Sequence, residues 1–139
     1  MGARQVIEIP FTKMEGLGND YLYIDRFHYK AEHDWGALSR VMAERHFGAG
    51  SDGIILIQPG DSAPFRMRIF NADGSEGDMC GNGIRCFSRY VYDHKIASDK
   101  TFEIETRHGL IHPVLNVVDG VVESISVDMG IPLLGRRDI

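Results

Sequence analysis

Residues 68–86 read R-I-F-N-A-D-G-S-E-G-D-M-C-G-N-G-I-R-C, and three patterns succeed one another within them. Arg68, Ile69 and Phe70 close an alternating apolar run that begins at Phe65, the period of a β-strand. Asn71 to Asp78 is a string of turn formers, a loop. From Gly83 to about Asp93 the spacing becomes helical, with Ile84, Phe87 and Val91 on one face. Strand, turn-rich loop and helix therefore follow in that order, and Cys80 falls at the junction of loop and helix.

Upstream, Ile7, Ile9 and Phe11 alternate with polar residues up to Lys13, which predicts an entering strand. Gly16 to Asp20 breaks that pattern, and Tyr21 to Ile24 is an aromatic and β-branched run suited to a second strand. A helix is expected from Asp34, which can cap it, with Trp35, Leu38, Val41 and Met42 as its apolar stripe and Gly48 and Gly50 as its stop. Gly53 to Gln58 is a short, almost wholly apolar strand. Downstream, Thr101 to Thr106 alternates, and Ile111 to Val118 faces Val121 to Met129 across Asp119-Gly120, a two-residue hairpin signal. The sum is an α+β domain of several mostly antiparallel strands and two helices, without repeats or low-complexity stretches.

A chain of 139 residues with 43% hydrophobic and 25% charged residues fits one soluble domain with a real core. No window approaches the ~18 consecutive apolar residues of a membrane span. The net charge of −5, with acids and bases interleaved, leaves no basic stripe for nucleic acid or an anionic membrane. Cys80 and Cys86, without an export signal, are expected as reduced thiols in a cytoplasmic protein.

Cys80 stands where a helix amino terminus presents unpaired N–H groups and a positive dipole end, an environment that favours thiolate. Gly81 and Gly83 let backbone approach a ligand, and their N–H groups suit a carboxylate. The alternative is a buried thiol beside a helix-starting turn. Glu76 and Asp78 would raise the thiol pKa unless they point away, and the sequence leaves their direction open. Cys86, six residues on, reads as a small core residue, because a metal pair wants tighter spacing and further ligands. The six histidines show no ligand spacing.

F-N-A-D-G-S-E (70–76) and M-C-G-N-G-I-R-C (79–86), with K-M-E-G-L-G-N-D (13–20) and G-A-G-S-D-G (48–53), resemble the diaminopimelate epimerase family in motif order and spacing, from about Phe11 to Met129. The resemblance implies a mostly antiparallel sheet wrapped around a central helix, one half of a two-domain fold. It implies interconversion of LL- and meso-diaminopimelate for lysine and peptidoglycan precursors, without pyridoxal phosphate, metal or other cofactor. One thiolate takes the α-proton and a second thiol reprotonates the opposite face. Residue by residue, Cys80 matches the catalytic thiol of the family's first half, and Gly81 and Asn82 match its contacts to substrate carboxylate and amine. Asn71 and Asn19 match two substrate-binding asparagines. For both, a turn residue bonding its own backbone is the competing reading. Some family members carry Gln at the position of Gly53, where glycine offers only backbone.

The family's second cysteine segment and closing strand do not appear after Met129. Residues 1–129 are therefore expected to be the amino-terminal epimerase domain, and 130–139 the start of a connection to a second domain. The chain is expected to be a fragment that is inactive alone. Its expected partners are a small amino-acid substrate and a carboxyl-terminal half or another copy of the chain, in a homodimer. Proline racemase-like enzymes are the nearest rival, but they place His after C-G where this chain has Asn82. A non-catalytic binding or assembly half-domain is the reading from another class.

Overall fold

The computed structural model describes residues 6–78 and 81–127, so the domain boundary expected at 129–130 lies outside the described residues. The elements are β1 (Thr12–Gly16), β2 (Asn19–Asp25), α1 (Trp35–Met42), β3 (Gly53–Pro59), β4 (Phe65–Asn71), β5 (Glu76–Gly77), α2 (Gly81–Asp93), β6 (Ile104–Thr106), β7 (Gly109–Ile111), β8 (Pro113–Val118) and β9 (Val121–Val127). Seven strands form one sheet in the order β1-β2-β3-β4-β6-β7, with β5 beside β4, and β8 and β9 form a separate ribbon.

Five of the seven strand pairings are antiparallel, and the two parallel ones, β2 with β3 and β4 with β6, are spanned by α1 and α2. Leu22, Ile24, Ile54, Leu56 and Phe70 pack with Trp35 under α1. Their neighbours Tyr21, Tyr23, Ile55, Ile57 and Met67 pack with Ile84, Phe87 and Val91 of α2 on the other face. β4 runs opposite to β2 while both crossovers advance the same way along the sheet, so one crossover hand places the two helices on opposite faces. Burial on both faces explains why β3 is apolar without alternation. Leu115 and Val122 of the β8–β9 ribbon complete the cluster around α2, which lies between sheet and ribbon as its central helix.

Asp34 caps α1 as expected, its carboxylate accepting from the Ala37 N–H at 3.1 Å. The helix ends at Met42, earlier than Gly48 suggests, because Glu44 accepts the His46 and Phe47 N–H groups and turns the chain. The Gly50 N–H then donates to Met42 O at 3.1 Å. The entering strand is displaced: Ile7 and Phe11 are exposed, and pairing begins at Thr12 opposite Tyr23. Pro10 has no N–H for a ladder, which explains the late start. The strand expected over residues 101–106 shrinks to β6, with Thr101 contributing only an isolated bridge to Val114. The run from Ile111 to Val118 is two strands rather than one, because the chain leaves the large sheet after Ile111 and joins the ribbon at Pro113.

Candidate functional site

One end of the sheet gathers the motif residues. β2 and β3 begin there, β4 ends there, and α2 starts against it. Gly16 pairs with Asn19 across a two-residue turn in which Leu17 and Gly18 both have positive φ, 51° and 88°. That is the hairpin turn whose twist suits the strands, and it delivers Asn19 as the first residue of β2. The first turn of α2 is tied to the same strand by the Tyr23 hydroxyl, which donates to Gly83 O at 3.2 Å. Thus Asn82 reaches Asn19: its Nδ2 donates to Asn19 Oδ1 at 3.2 Å.

Asn19 is held from its other side. Its Nδ2 donates to Asp52 Oδ2 at 3.4 Å, and the same oxygen accepts the Asp20 N–H at 2.9 Å. The Asp52 N–H donates back to Asp20 O at 2.7 Å. Arg45 binds Asp20 at 2.9 Å and Asp52 Oδ1 at 3.2 Å, and Lys13 lies 3.6 Å from Asp20. The Arg45 hydrogen bond is the largest influence holding the Asp20 carboxyl down at about 2.

Asn71 sits at the end of β4, opposite Gly53. Its Nδ2 donates to the Ser75 hydroxyl at 3.1 Å and its N–H to Ser75 O at 2.8 Å, the local turn bonding that competes with a ligand role. Ser39 of α1 lies 3.0 Å from Phe70 O and 2.7 Å from Asn71 O through its hydroxyl, fixing this strand end to the helix. Gly53 is a glycine for a packing reason. At φ 157° an added Cβ would lie 2.1 Å from Phe70 O.

Cys80 lies outside the described residues; in sequence it immediately precedes Gly81, the first residue of α2. Gly81 and Asn82 are half-buried, and Gly83 and Ile84 are buried. The two carboxylates whose direction the sequence left open are both held by guanidinium groups. Arg68 grips Glu76 through two bonds of 3.0 Å and lowers its pKa, and Arg107 lies 3.5 Å from Asp78. Cys86 is half-buried and packs against the cluster around α2, as expected of a small core residue. Among the described residues no three His, Cys, Asp or Glu side chains gather as metal ligands, and no helix is long and apolar enough to cross a membrane.

The structure thus brings Asn19, Gly81 and Asn82 together and leaves Asn71 in its own turn at the same sheet end. Sequence reasoning missed Asp52 and Arg45, although Asp52 stands inside the G-A-G-S-D-G string.

The sequence profile of diaminopimelate epimerase matches residues 11–134. The diaminopimelate epimerase of Geobacillus kaustophilus (strain HTA426) is 54% identical over 130 residues, 93% of this chain and 45% of that protein. That of Geobacillus thermodenitrificans (strain NG80-2) is 52% identical over the same share of each. The chain spans about half the length of the curated relatives it matches. A hydroxyproline epimerase from Agrobacterium vitis shares the fold at a TM-score of 0.66 and 16% identity, over 84% of this chain and 40% of that one. With the profile matched over nearly its whole length, this chain belongs to the diaminopimelate epimerase family.

Proposed function

We propose that this chain is the first half of an enzyme interconverting LL- and meso-diaminopimelate, with Cys80 as one of its two acid/base thiols. The observation that carries the reading is the Asn82–Asn19 hydrogen bond at the start of α2, directly after Cys80 in sequence, in a chain of this family. The Cys80 thiolate takes the α-proton: the C–H bond breaks, an S–H bond forms, and the electron pair remains on the α-carbon. A second thiol, from a carboxyl-terminal half or another copy of the chain, gives its proton to the opposite face. Two groups are needed, since one group returning its own proton would restore the starting configuration. No cofactor is required if the site removes water and stabilises the carbanion charge.

Gly81 and Asn82 hold the carboxylate and amine of the reacting centre, and Asn19 and Asn71 complete this half of the substrate shell. The Arg68–Glu76 and Arg107–Asp78 pairs support the chemistry, because a compensated carboxylate does not oppose a thiolate as a bare one does. Residues 1–129 form the amino-terminal domain, 130–139 lead to the second, and the complete enzyme is a cytoplasmic homodimer.

The test follows α-proton loss and meso product from LL-diaminopimelate in heavy water. The 139-residue chain alone is expected to be silent. Adding the separately produced carboxyl-terminal half of a relative is expected to start both reactions, and Cys80→Ala to abolish them. Continued silence of the mixture, or exchange that survives Cys80→Ala, overturns the reading.

A further inference from the structure

Asp52 belongs to no element named above as a substrate contact, yet the side-chain amide of Asn19 lies between it and Asn82. A carboxylate without a proton can only accept. Asn19 therefore turns its NH2 toward Asp52 Oδ2, at 3.4 Å, and is left with its carbonyl oxygen facing Asn82. That oxygen in turn takes an N–H from Asn82 at 3.2 Å. Each amide in the row has its polarity set by the one before it, and the carboxylate sets the first. Asp52 is itself fixed from three directions: the Asp20 N–H on Oδ2 at 2.9 Å, Arg45 on Oδ1 at 3.2 Å, and its own N–H on Asp20 O at 2.7 Å. An acceptor so immobilised can orient a neighbour without losing its own place.

We propose that Asp52 is a positioning residue of the epimerase site, its carboxylate fixing the orientation of the Asn19 amide and, through it, that of Asn82. The amide of Asn82, with one N–H given to Asn19, then offers its carbonyl oxygen to a ligand donor, the chemistry of an α-ammonium group. The proposal rests on the functional reading above for its consequence, and on the hydrogen-bond row alone for its geometry.

The two parts are tested separately. In the unaltered 139-residue chain, the Asn19 side-chain NH2 should exchange with water more slowly than that of Asn116, which is exposed on β8. In Asp52→Ala the Asn19 and Asn82 side-chain NMR signals should both move. Equal exchange of Asn19 and Asn116, or unmoved signals in Asp52→Ala, overturns the proposal without involving substrate. In the mixture with a second half, Asp52→Ala should raise KM for LL-diaminopimelate about tenfold with kcat little changed, as loss of one oriented hydrogen bond to bound substrate implies. A merely unfolded fraction would lower kcat at constant KM. Asp52→Asn, which keeps one acceptor oxygen, should restore KM to near its original value. Failure of Asp52→Asn as severe as that of Asp52→Ala would assign the effect to the ion pair with Arg45 and sink the proposal. Asn19→Ala, which removes the link between Asp52 and Asn82, should raise KM at least as much as Asp52→Ala, and an unchanged KM would sink the positioning proposal together with the substrate role of Asn19.

Discussion

Arg68 holds Glu76 in a two-pronged grip, Nε to Oε2 and Nη2 to Oε1, each at 3.0 Å, four positions before Cys80. The pair is partly buried, and the guanidinium keeps the Glu76 carboxyl below its usual range. Arg68→Met would remove the main compensation of that carboxylate, leaving the weaker influence of Arg107 and Arg66. A carboxylate with less compensation favours the neutral form of a thiol near it, so the sign of the effect on Cys80 is upward. The expected outcome is an upward move of the pH midpoint for Cys80 alkylation, measured in a Cys86→Ser background. A midpoint that stays put would show that Glu76 has no electrostatic hold on the thiol.

How much of this was legible beforehand depends on how far along the chain the cause lies. Asp34 as a cap and Asp119-Gly120 as a turn are local matters, and both are where the sequence places them, the turn with φ of 53° and 78°. The apolar run of β3 announces burial on both faces but not its parallel partner β2, which depends on a helix crossing between them. The partners of Asp52 at Asp20 and Asn19 stand 32 and 33 positions away, and no periodicity encodes such a bond. Glu76 was recognisable as a threat to the thiolate, while its neutralisation needed the β4–β5 pairing that sets it beside Arg68. For Cys80, the place between a turn-rich loop and a helical pattern left a buried thiol as the alternative, and its proposed role as a reactive thiol came from the resemblance of M-C-G-N-G-I-R-C to the family.

Acid should loosen the fold at the same end. Asp20 is held at about 2 against 3.8, chiefly by Arg45, and Glu76 is lowered from 4.5 by Arg68. A carboxyl whose pKa is lower folded than unfolded binds fewer protons in the native state. Its contribution is complete above the unfolded value and is lost as pH falls through it toward the folded value. The melting temperature should therefore be flat above about pH 5 and fall between about 4.5 and 2. Asp20→Asn should melt lower at pH 7 and show a shallower acid slope. A slope equal to that of the parent would mean the Arg45 pair has no part in acid sensitivity.

Phe87 is where α2 is most dependent on the sheet. It is fully buried and meets Phe65 edge-on at 6.2 Å between ring centroids. Phe87→Ala should cost ~3–5 kcal/mol, a large share of the ~5–15 kcal/mol that domains possess. Phe87→Leu, which refills most of the space, should cost much less. Urea unfolding at constant slope measures both, and a cost under ~1 kcal/mol for the alanine variant would contradict the placement of α2 as the core element.

Leu17 is the residue most at odds with its own conformation. It has φ of 51° and is 89% exposed, so its side chain gains little packing in return for a backbone region that disfavours a Cβ. The left-handed region costs an ordinary residue ~1–2 kcal/mol, while Asn and Asp tolerate it through local hydrogen bonding. Asp119 occupies the equivalent position of the β8–β9 turn at φ 53°. Leu17→Asn should accordingly raise stability by ~0.5–1 kcal/mol, seen as a higher urea midpoint. The turn feeds directly into Asn19, so the same variant reports on the site. If strain at 17 is independent of the Asn82–Asn19–Asp52 row, the side-chain signals of Asn19 and Asn82 will stay in place while the midpoint rises. A midpoint that falls instead would mean the exposed leucine makes a contact worth more than the strain it causes.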